Sequence, residues 1–160
     1  MPGLTTGADR RFAMLYFAYG SNMLAEQMAR LCPGSKPVNP ARLHDHRLVF
    51  NRLWDGWGGS AVASVEPCTG AVVEGVLWEI SEADRAALDR FEDFPASYLR
   101  QDVMVETFEG RSLPAYTYVA RPQGNFRPRR EYLEQVITGG RQHGLSPEYL
   151  ASLEAIATEG

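Results

Sequence analysis

The sequence is short of the residues that build disulfide scaffolds and metal centres. Its 160 residues include only two cysteines and three histidines. Cys32 and Cys68 lie far apart and outside any CxxC pair, which excludes a disulfide-rich scaffold and predicts reduced thiols. His44 and His46 would share one face of a strand, but two ligands without a third do not make a metal site. We therefore expect no metal.

Long apolar stretches are also missing. No run approaches the ~18 residues that a membrane-spanning helix needs. The first residues, MPGLTTGADRR, lack the apolar centre of a signal peptide. These absences predict a cytoplasmic protein with no membrane partner. We expect residues 1–13 to form a flexible lead-in and residues 14–160 to form one domain.

The sequence also lacks an excess of positive charge. Sixteen basic residues stand against 20 acidic ones, and the formal net charge is −4. The one dense basic cluster, Arg127, Arg129 and Arg130, surrounds Pro128 and is typical of a solvated helix start. Because nucleic-acid binding depends on basic surfaces, we expect no nucleic-acid partner.

The order of strand-like and helical stretches indicates an α+β fold. Strands dominate the middle of the chain and helices its end. This predicts a single domain with a mixed, curved β-sheet or a small β-barrel flanked by helices. The loop Asn51–Ser60 carries Trp54 and Trp57, which either cover a pocket or pin the loop to the core. The predicted strands are Met14–Tyr19, Ala41–Phe50, Ser60–Val65, Ala71–Ile80, Leu99–Phe108 and Leu113–Val119. The continuous apolar run of the first predicts a central strand, and a turn at Pro67–Gly70 separates the third from the fourth. The predicted helices are Leu24–Arg30, one that starts with a capping box of Ser81 and Asp84 and ends near Phe91, Arg129–Gln142 and one starting at Pro147.

The segment MLYFAYGSNM combines an apolar strand with a glycine turn. We expect Gly20 to take a positive φ and to let a ligand approach the backbone. The N–H groups of Gly20, Ser21 and Asn22, with the start of the next helix, would then hold a carboxylate or a phosphate. The alternative is a capped turn, with Ser21 or Asn22 as N-cap. The spacing of a nucleophile elbow is absent, so Ser21 is not predicted to be the nucleophile of a hydrolase.

The segment SEADRAALDRFEDFP carries five acidic residues on and just after one predicted helix. Helical periodicity places Ala83, Ala87 and Phe91 on the inner face and leaves Asp89 in solvent together with Asp93. Glu92 falls at the border of the apolar face, where desolvation would raise its pKa and suit it to general acid–base work. The alternative is a surface glutamate with a charged partner.

Taken together, YFAYGSNM, GVLWEIS, LDRFEDF and GLSPEYLASLEAI resemble the γ-glutamylcyclotransferase family in order and spacing, from Met14 to Ala157. The resemblance implies an enzyme in which the α-amine of a γ-glutamyl group attacks its own γ-carbonyl. The products are 5-oxoproline and a released amino acid or amine. It implies no cofactor, because the enzyme mainly folds a single molecule into attack geometry. A homodimer is possible by the same analogy.

The resemblance also implies roles for individual residues. Glu92 would be the base and then the acid. The gap from Glu92 to Tyr98 is a residue shorter than in the animal enzymes. Asn22 stands where the glutathione-specific branch has leucine, which disfavours glutathione as the substrate. The implied substrate-binding residues are Tyr16, Phe17, Ala18, Tyr19, Gly20, Ser21, Asn22, Tyr98 and Tyr132.

Two other functions remain open at the level of sequence. One keeps the reaction but takes γ-glutamyl amines, in biosynthesis or in catabolism, in place of γ-glutamyl amino acids. The other is a non-catalytic module that binds a small ligand on the same fold. The sequence also leaves open whether the turn amides bind the substrate α-carboxylate or the γ-carbonyl oxygen.

Overall fold

Five β-strands and four α-helices make up the part of the chain that the computed structural model describes, residues 14–159. The predicted lead-in at residues 1–13 lies outside the described residues. The strands are β1 (Met14–Ala18), β2 (Lys36–Trp54), β3 (Ser60–Ile80), β4 (Tyr98–Thr107) and β5 (Ser112–Ala120), and the helices are α1 (Ala25–Leu31), α2 (Glu82–Phe91), α3 (Arg130–Gln142) and α4 (Pro147–Glu154).

The strands close into a barrel in the order β1-β3-β2-β4-β5, with the helices around it. This confirms the predicted α+β domain with a small barrel. None of the described helices combines the length and the apolar character that a bilayer-spanning helix requires.

Strand β1 closes the barrel. It pairs antiparallel with β3 from Met14↔Ile80 to Ala18↔Val76, and parallel with β5 at Tyr16↔Tyr116. Its consecutive residues Tyr16, Phe17 and Ala18 are all buried, so both faces of the strand are covered, which accounts for its continuous apolar run. The prediction of a central strand is therefore confirmed.

The hairpin of β2 and β3 differs most from the prediction. We expected two strands separated by a turn at Pro67–Gly70, but β3 runs without a break from Ser60 to Ile80. Strand β2 pairs with it on both sides of the predicted turn, at His44↔Val72 and at His46↔Pro67, and residues 68–71 between these pairs bulge out of the ladder. The predicted loop Asn51–Ser60 is likewise shorter, since β2 extends to Trp54.

This bulge also changes the expectation for His44 and His46. Asp45 between them adopts φ 59°, in the left-handed region, so the regular alternation that would put both rings on one face is broken. The Nε2 atom of His44 lies 2.9 Å from a carboxylate oxygen of Glu106. The Nδ1 atom of His46 lies 2.9 Å from the carbonyl oxygen of His44.

Helix α2 begins with the predicted capping box. The Ser81 hydroxyl accepts the Asp84 N–H, and the Asp84 carboxylate accepts the Ser81 N–H. This satisfies the Asp84 side chain, so the buried face is formed by Asp84 and Leu88, and Ala83 is exposed. Ala87 and Phe91 of the predicted inner face are half-buried, so the buried face of α2 lies about one residue later than predicted.

Helix α3 packs against the segment that follows β1. A Cβ atom added at Gly139 would lie 2.7 Å from the backbone of both Met23 and Leu24. Only a glycine allows the two backbones to approach this closely. The same helix carries Tyr132 in its first turn, so this contact brings the Tyr132 side chain beside the Gly20 turn.

Candidate active site

A small pocket lies between the turn after β1, the middle of the barrel wall and the end of α2. Eight of the ten residues that the sequence singled out line it. Phe17 and Ala18 do not, because they lie fully in the core of β1. The pocket is lined by Tyr16, Tyr19, Gly20, Ser21, Asn22, Trp54, Val62, Ala63, Phe91, Glu92, Tyr98, Tyr118 and Tyr132.

Gly20 starts the turn without the expected positive φ. Its φ is −113°, so the requirement for glycine is not a left-handed backbone. It is space: an added Cβ would lie 3.1 Å from the Tyr132 hydroxyl and 3.5 Å from the Ala63 Cβ. The expected close approach to the backbone is therefore made by a tyrosine hydroxyl of the protein itself.

Residues Ser21–Met23 form a single 3₁₀ turn. The N–H groups of Met23 and Leu24 bond to the carbonyls of Gly20 and Ser21, at 3.1 Å each. The N–H groups at the start of such a turn have no acceptor within it. The Ala25 N–H at the start of α1 instead bonds to Oε1 of Gln142, at 2.9 Å, and so does not point at the pocket as a free donor.

The side chains of the turn belong to a buried hydrogen-bond network. Gln27 Nε2 donates to Ser21 Oγ at 2.9 Å and to Asn22 Oδ1 at 2.7 Å. Asn22 Nδ2 donates to the Tyr16 hydroxyl at 3.0 Å, and Gln135 Nε2 donates to Gln27 Oε1 at 2.7 Å. Neither Ser21 nor Asn22 caps a helix, so the alternative of a simple capped turn is wrong. The network fixes both side chains before any ligand arrives.

Tyr98 and Tyr132 bind the backbone of the same residue of β3, Ala63. The Tyr98 hydroxyl donates to the Ala63 carbonyl at 2.8 Å, and the Ala63 N–H donates to the Tyr132 hydroxyl at 3.0 Å. Tyr132 is also hydrogen-bonded to Ser21. The two tyrosines therefore tie β4 and α3 to the pocket wall and to the turn.

Glu92 is the C-cap of α2, with its N–H bonded to the Leu88 carbonyl at 2.8 Å. Its carboxyl forms no hydrogen bond or ion pair with any other residue in the described part of the chain. Burial without such a partner raises the pKa of Glu92 to about 8. The alternative of a surface glutamate with a charged partner is therefore wrong.

Four phenols of the pocket are coupled to the Glu92 carboxyl. Burial raises the pKa of each phenol, and a charge on Glu92 raises it further. The surroundings of Glu92 are thus polar but uncharged, and Glu92 is the group of the pocket that titrates near neutrality. The four phenols belong to Tyr16, Tyr19, Tyr98 and Tyr132.

Asp89 is not solvated as predicted. Its Oδ1 atom accepts from Nε of Arg100 at 3.1 Å and from the Tyr118 hydroxyl at 2.7 Å, and its Oδ2 atom accepts from Nη2 of Arg100. Burial alone would raise the pKa of Asp89, but the hydrogen bonds from Arg100 and Tyr118 outweigh it and hold the pKa below its usual value.

Sequence reasoning missed part of the aromatic wall. Trp54 lies 6.3 Å from Phe91 and 6.1 Å from Tyr98 between ring centroids, so it lines the pocket and also packs against the core. Tyr118 contributes its ring from β5. Its strand was predicted, but nothing in a single sequence says that this strand closes the barrel next to β1.

Comparison with known proteins gives the family. A family model described as Gamma-glutamyl cyclotransferase, AIG2-like, matches residues 16–140. The Gamma-glutamylcyclotransferase of Homo sapiens is 31% identical over 156 residues, which cover 94% of this chain and 82% of that protein. Its Bos taurus counterpart is 30% identical over 149 residues, covering 90% and 79%.

A solved structure of a gamma-glutamyl cyclotransferase superposes on the chain with a TM-score of 0.88 at 28% identity. The match covers 92% of this chain and 89% of that one. The agreement therefore extends over the barrel and its helices, and not only over short motifs. The chain belongs to the gamma-glutamyl cyclotransferase, AIG2-like family and is an enzyme of the cyclotransferase type.

Proposed function

We propose that the chain converts the γ-glutamyl group of small γ-glutamyl amino acids to 5-oxoproline and releases the amino acid. One observation carries the proposal: the half-buried, unpartnered carboxyl of Glu92 lines the same pocket as the Gly20–Asn22 turn. A proton-transfer group and a set of neutral donors within one small pocket are what an internal cyclisation requires.

Glu92 acts first as the base. With a pKa of about 8, it is largely protonated in the empty pocket at neutral pH. Glu92 and the substrate α-amine together share one proton. It lies either on the amine, as carboxylate and ammonium, or on Glu92, as carboxylic acid and free amine. The raised pKa favours the form in which Glu92 holds this proton, and the amine is then free to attack.

The bond changes follow in order. The amine nitrogen forms a bond to the γ-carbonyl carbon and closes a five-membered ring, and then the bond from that carbon to the leaving nitrogen breaks. Glu92 takes one proton from the attacking nitrogen and gives one to the leaving nitrogen. The carboxyl returns to its starting state, so no further reactant is consumed.

The turn binds the oxygen atoms of the γ-glutamyl group. None of the described residues that line the pocket is a lysine or an arginine. Backbone N–H groups of the turn, together with the nearby hydroxyl and amide side chains, therefore serve as the donors. Donors held in place before the reaction stabilise developing negative charge without the cost of reorienting.

The test is a 5-oxoproline assay with γ-glutamyl-alanine. Glu92→Gln keeps the size of the side chain but cannot exchange a proton, so we expect kcat to fall at least ~100-fold. The matched control is Glu82→Gln, on the exposed first turn of the same helix, which should leave kcat unchanged. Full activity of Glu92→Gln would overturn the assignment.

A second candidate is the cyclisation of γ-glutamyl amines. It is favoured by the more accessible side of the pocket, where Trp54 and Phe91 offer aromatic rings and the described lining offers no cation for the carboxylate of a leaving amino acid. The same assay separates the two candidates. A kcat/KM for γ-glutamyl amines at least tenfold above that for γ-glutamyl-alanine would select the second.

A further inference from the structure

The position of Glu92 poses a structural question. Its carboxyl has no bonding partner among the described residues, so its own side chain does not fix where the carboxyl lies. The Glu92 backbone must hold it, and Glu92 is the C-cap of α2, at a helix end of the kind that commonly frays. A catalytic group at a helix end needs external support to keep its geometry.

Asp89 supplies a first support, one turn before Glu92. Its carboxylate receives both arms of the Arg100 guanidinium, from β4, and the Tyr118 hydroxyl, from β5. The pair is only partly exposed, with 17% of the Asp89 side chain and 34% of the Arg100 side chain accessible. A two-armed arginine–carboxylate pair restricts orientation as well as distance.

Arg100 supplies a second support through its contact with Phe94, which lies two residues after Glu92. The centre of its guanidinium lies 4.2 Å from the centroid of the Phe94 ring, in a cation–π contact. The Phe94 N–H in turn bonds to the Asp89 carbonyl at 2.9 Å. Arg100 thus contacts the chain on both sides of Glu92, at Asp89 and at Phe94.

Tyr118 connects this support to the rest of the pocket. Its ring lines the pocket while its hydroxyl turns to Asp89. Its carbonyl accepts the Tyr19 hydroxyl at 2.6 Å. The end of α2 is therefore tied to the same strands that carry the aromatic wall.

We propose that Asp89, Phe94 and Arg100 form a bracket that positions Glu92, with Asp89 and Arg100 as positioning residues that do not touch the substrate. The inference rests on the proposed function of Glu92. When the bracket opens, the helix end loosens, the carboxyl gains access to water, and its distance to the reacting nitrogen varies.

Asp89→Ala and Arg100→Met in the full chain test the bracket. Without substrate, the Glu92 pKa is followed by NMR on side-chain carboxyl carbons, and we expect it to fall by about 1 pH unit or more, toward its ordinary value. The phenols facing Glu92 titrate above this range. With γ-glutamyl-alanine, kcat should fall about 10- to 100-fold while KM changes less than about threefold, since misplacement affects the reacting geometry.

Two further variants separate positioning from general stability. Asp89→Asn keeps the shape and one acceptor oxygen, so it should recover most of the kcat that Asp89→Ala loses. Glu66→Ala breaks the Arg47–Glu66 pair, a more exposed arginine–carboxylate pair on the β2–β3 hairpin away from the pocket, and should change neither the Glu92 pKa nor kcat.

An unchanged Glu92 pKa in folded Arg100→Met or Asp89→Ala would overturn the bracket, even if kcat fell. Arg100→Met removes only a partly exposed side chain, so it carries the test should Asp89→Ala not fold. If the wild type turned over no γ-glutamyl compound, the proposed function would fail, and the pKa of Glu92 in the variants would still decide the bracket.

Discussion

Two walls of the pocket follow opposite physical rules. The turn wall, Gly20 to Asn22, has its polar side chains bonded to Gln27 and Tyr16. The acid wall, Glu92, carries a carboxyl with no such bond among the described residues and with a pKa raised to about 8. The first wall is fixed before a ligand arrives, and the second holds a group whose charged form is costly.

The difference assigns different tasks to the two walls. A satisfied network of neutral groups keeps a constant geometry across pH and is suited to orientation. A desolvated carboxyl is suited to gaining and losing a proton, since its two protonation states lie close in free energy near neutral pH. Variants that remove the characteristic property of one wall at a time test this division.

The largest effect is expected for the stability of Glu92→Gln against pH. Folded Glu92 binds a proton up to about pH 8, whereas an ordinary glutamate releases it near 4.5. The folded state therefore holds more protons between these values, and the unfolding free energy of the wild type falls as pH rises through this window. Glutamine has no such dependence, so Glu92→Gln should be the more stable protein at pH 8, by about 3 kcal/mol.

Urea unfolding at pH 5 and at pH 8 measures this difference. Glu82→Gln, at an exposed position, should follow the wild type at both pH values. If Glu92→Gln and the wild type kept a constant difference in stability between pH 5 and 8, the acid wall would not be desolvated.

The turn wall is broken by Gln27→Leu. This substitution leaves Ser21 Oγ, Asn22 Oδ1 and the Gln135 amide without their buried partner, and each unsatisfied group is costly. We expect a loss of about 2 kcal/mol in unfolding free energy and a KM about tenfold higher. The Glu92 pKa should stay unchanged.

Gln135→Leu is the control for this variant, because it removes only the outer donor and leaves both bonds from Gln27 to the turn. Its effect on KM should be smaller. Equal effects of the two variants on KM would show that the bonds from Gln27 to the turn do not set its geometry.

The smallest effect is expected for Gly20→Ala. The added methyl would lie 3.1 Å from the Tyr132 hydroxyl, so the ring must shift by a few tenths of an ångström. We expect a stability loss of about 1 kcal/mol and a KM a few-fold higher. Gly34→Ala, where an added Cβ meets nothing within 4 Å, should be neutral. An unchanged KM for Gly20→Ala would show that the position of Tyr132 does not affect how the turn binds substrate.

Features encoded over a few neighbouring residues were predictable from the sequence. The apolar run of β1 indicated a strand with both faces buried, and the spacing of Ser81 and Asp84 indicated a capping box. The phase of α2 was one residue off, yet it placed Glu92 at the edge of the apolar face. The motifs then gave the family and, with it, the fold.

Features that depend on distant partners were not predictable. The turn signal at Pro67–Gly70 corresponds to a bulge at residues 68–71, but pairing with β2 on both sides of it joins the two predicted strands into one. Asp89 was assigned to solvent because its partners, Arg100 and Tyr118, lie 11 and 29 residues away on other strands. A glycine can likewise serve a left-handed turn or a close contact, and only the neighbours of Gly20 distinguish the two.

The closure of the barrel has a consequence for how activity reports on the state of the chain. Tyr16 and Tyr116 pair only when β1 meets β5, and Tyr19 bonds to the Tyr118 carbonyl across 99 positions of sequence. Tyr132 reaches Ala63 across 69. No short segment carries the pocket, so a partly folded chain with an open barrel has no site at all. Catalytic activity therefore counts fully assembled molecules, whereas a measurement of helix or strand content would include incomplete ones.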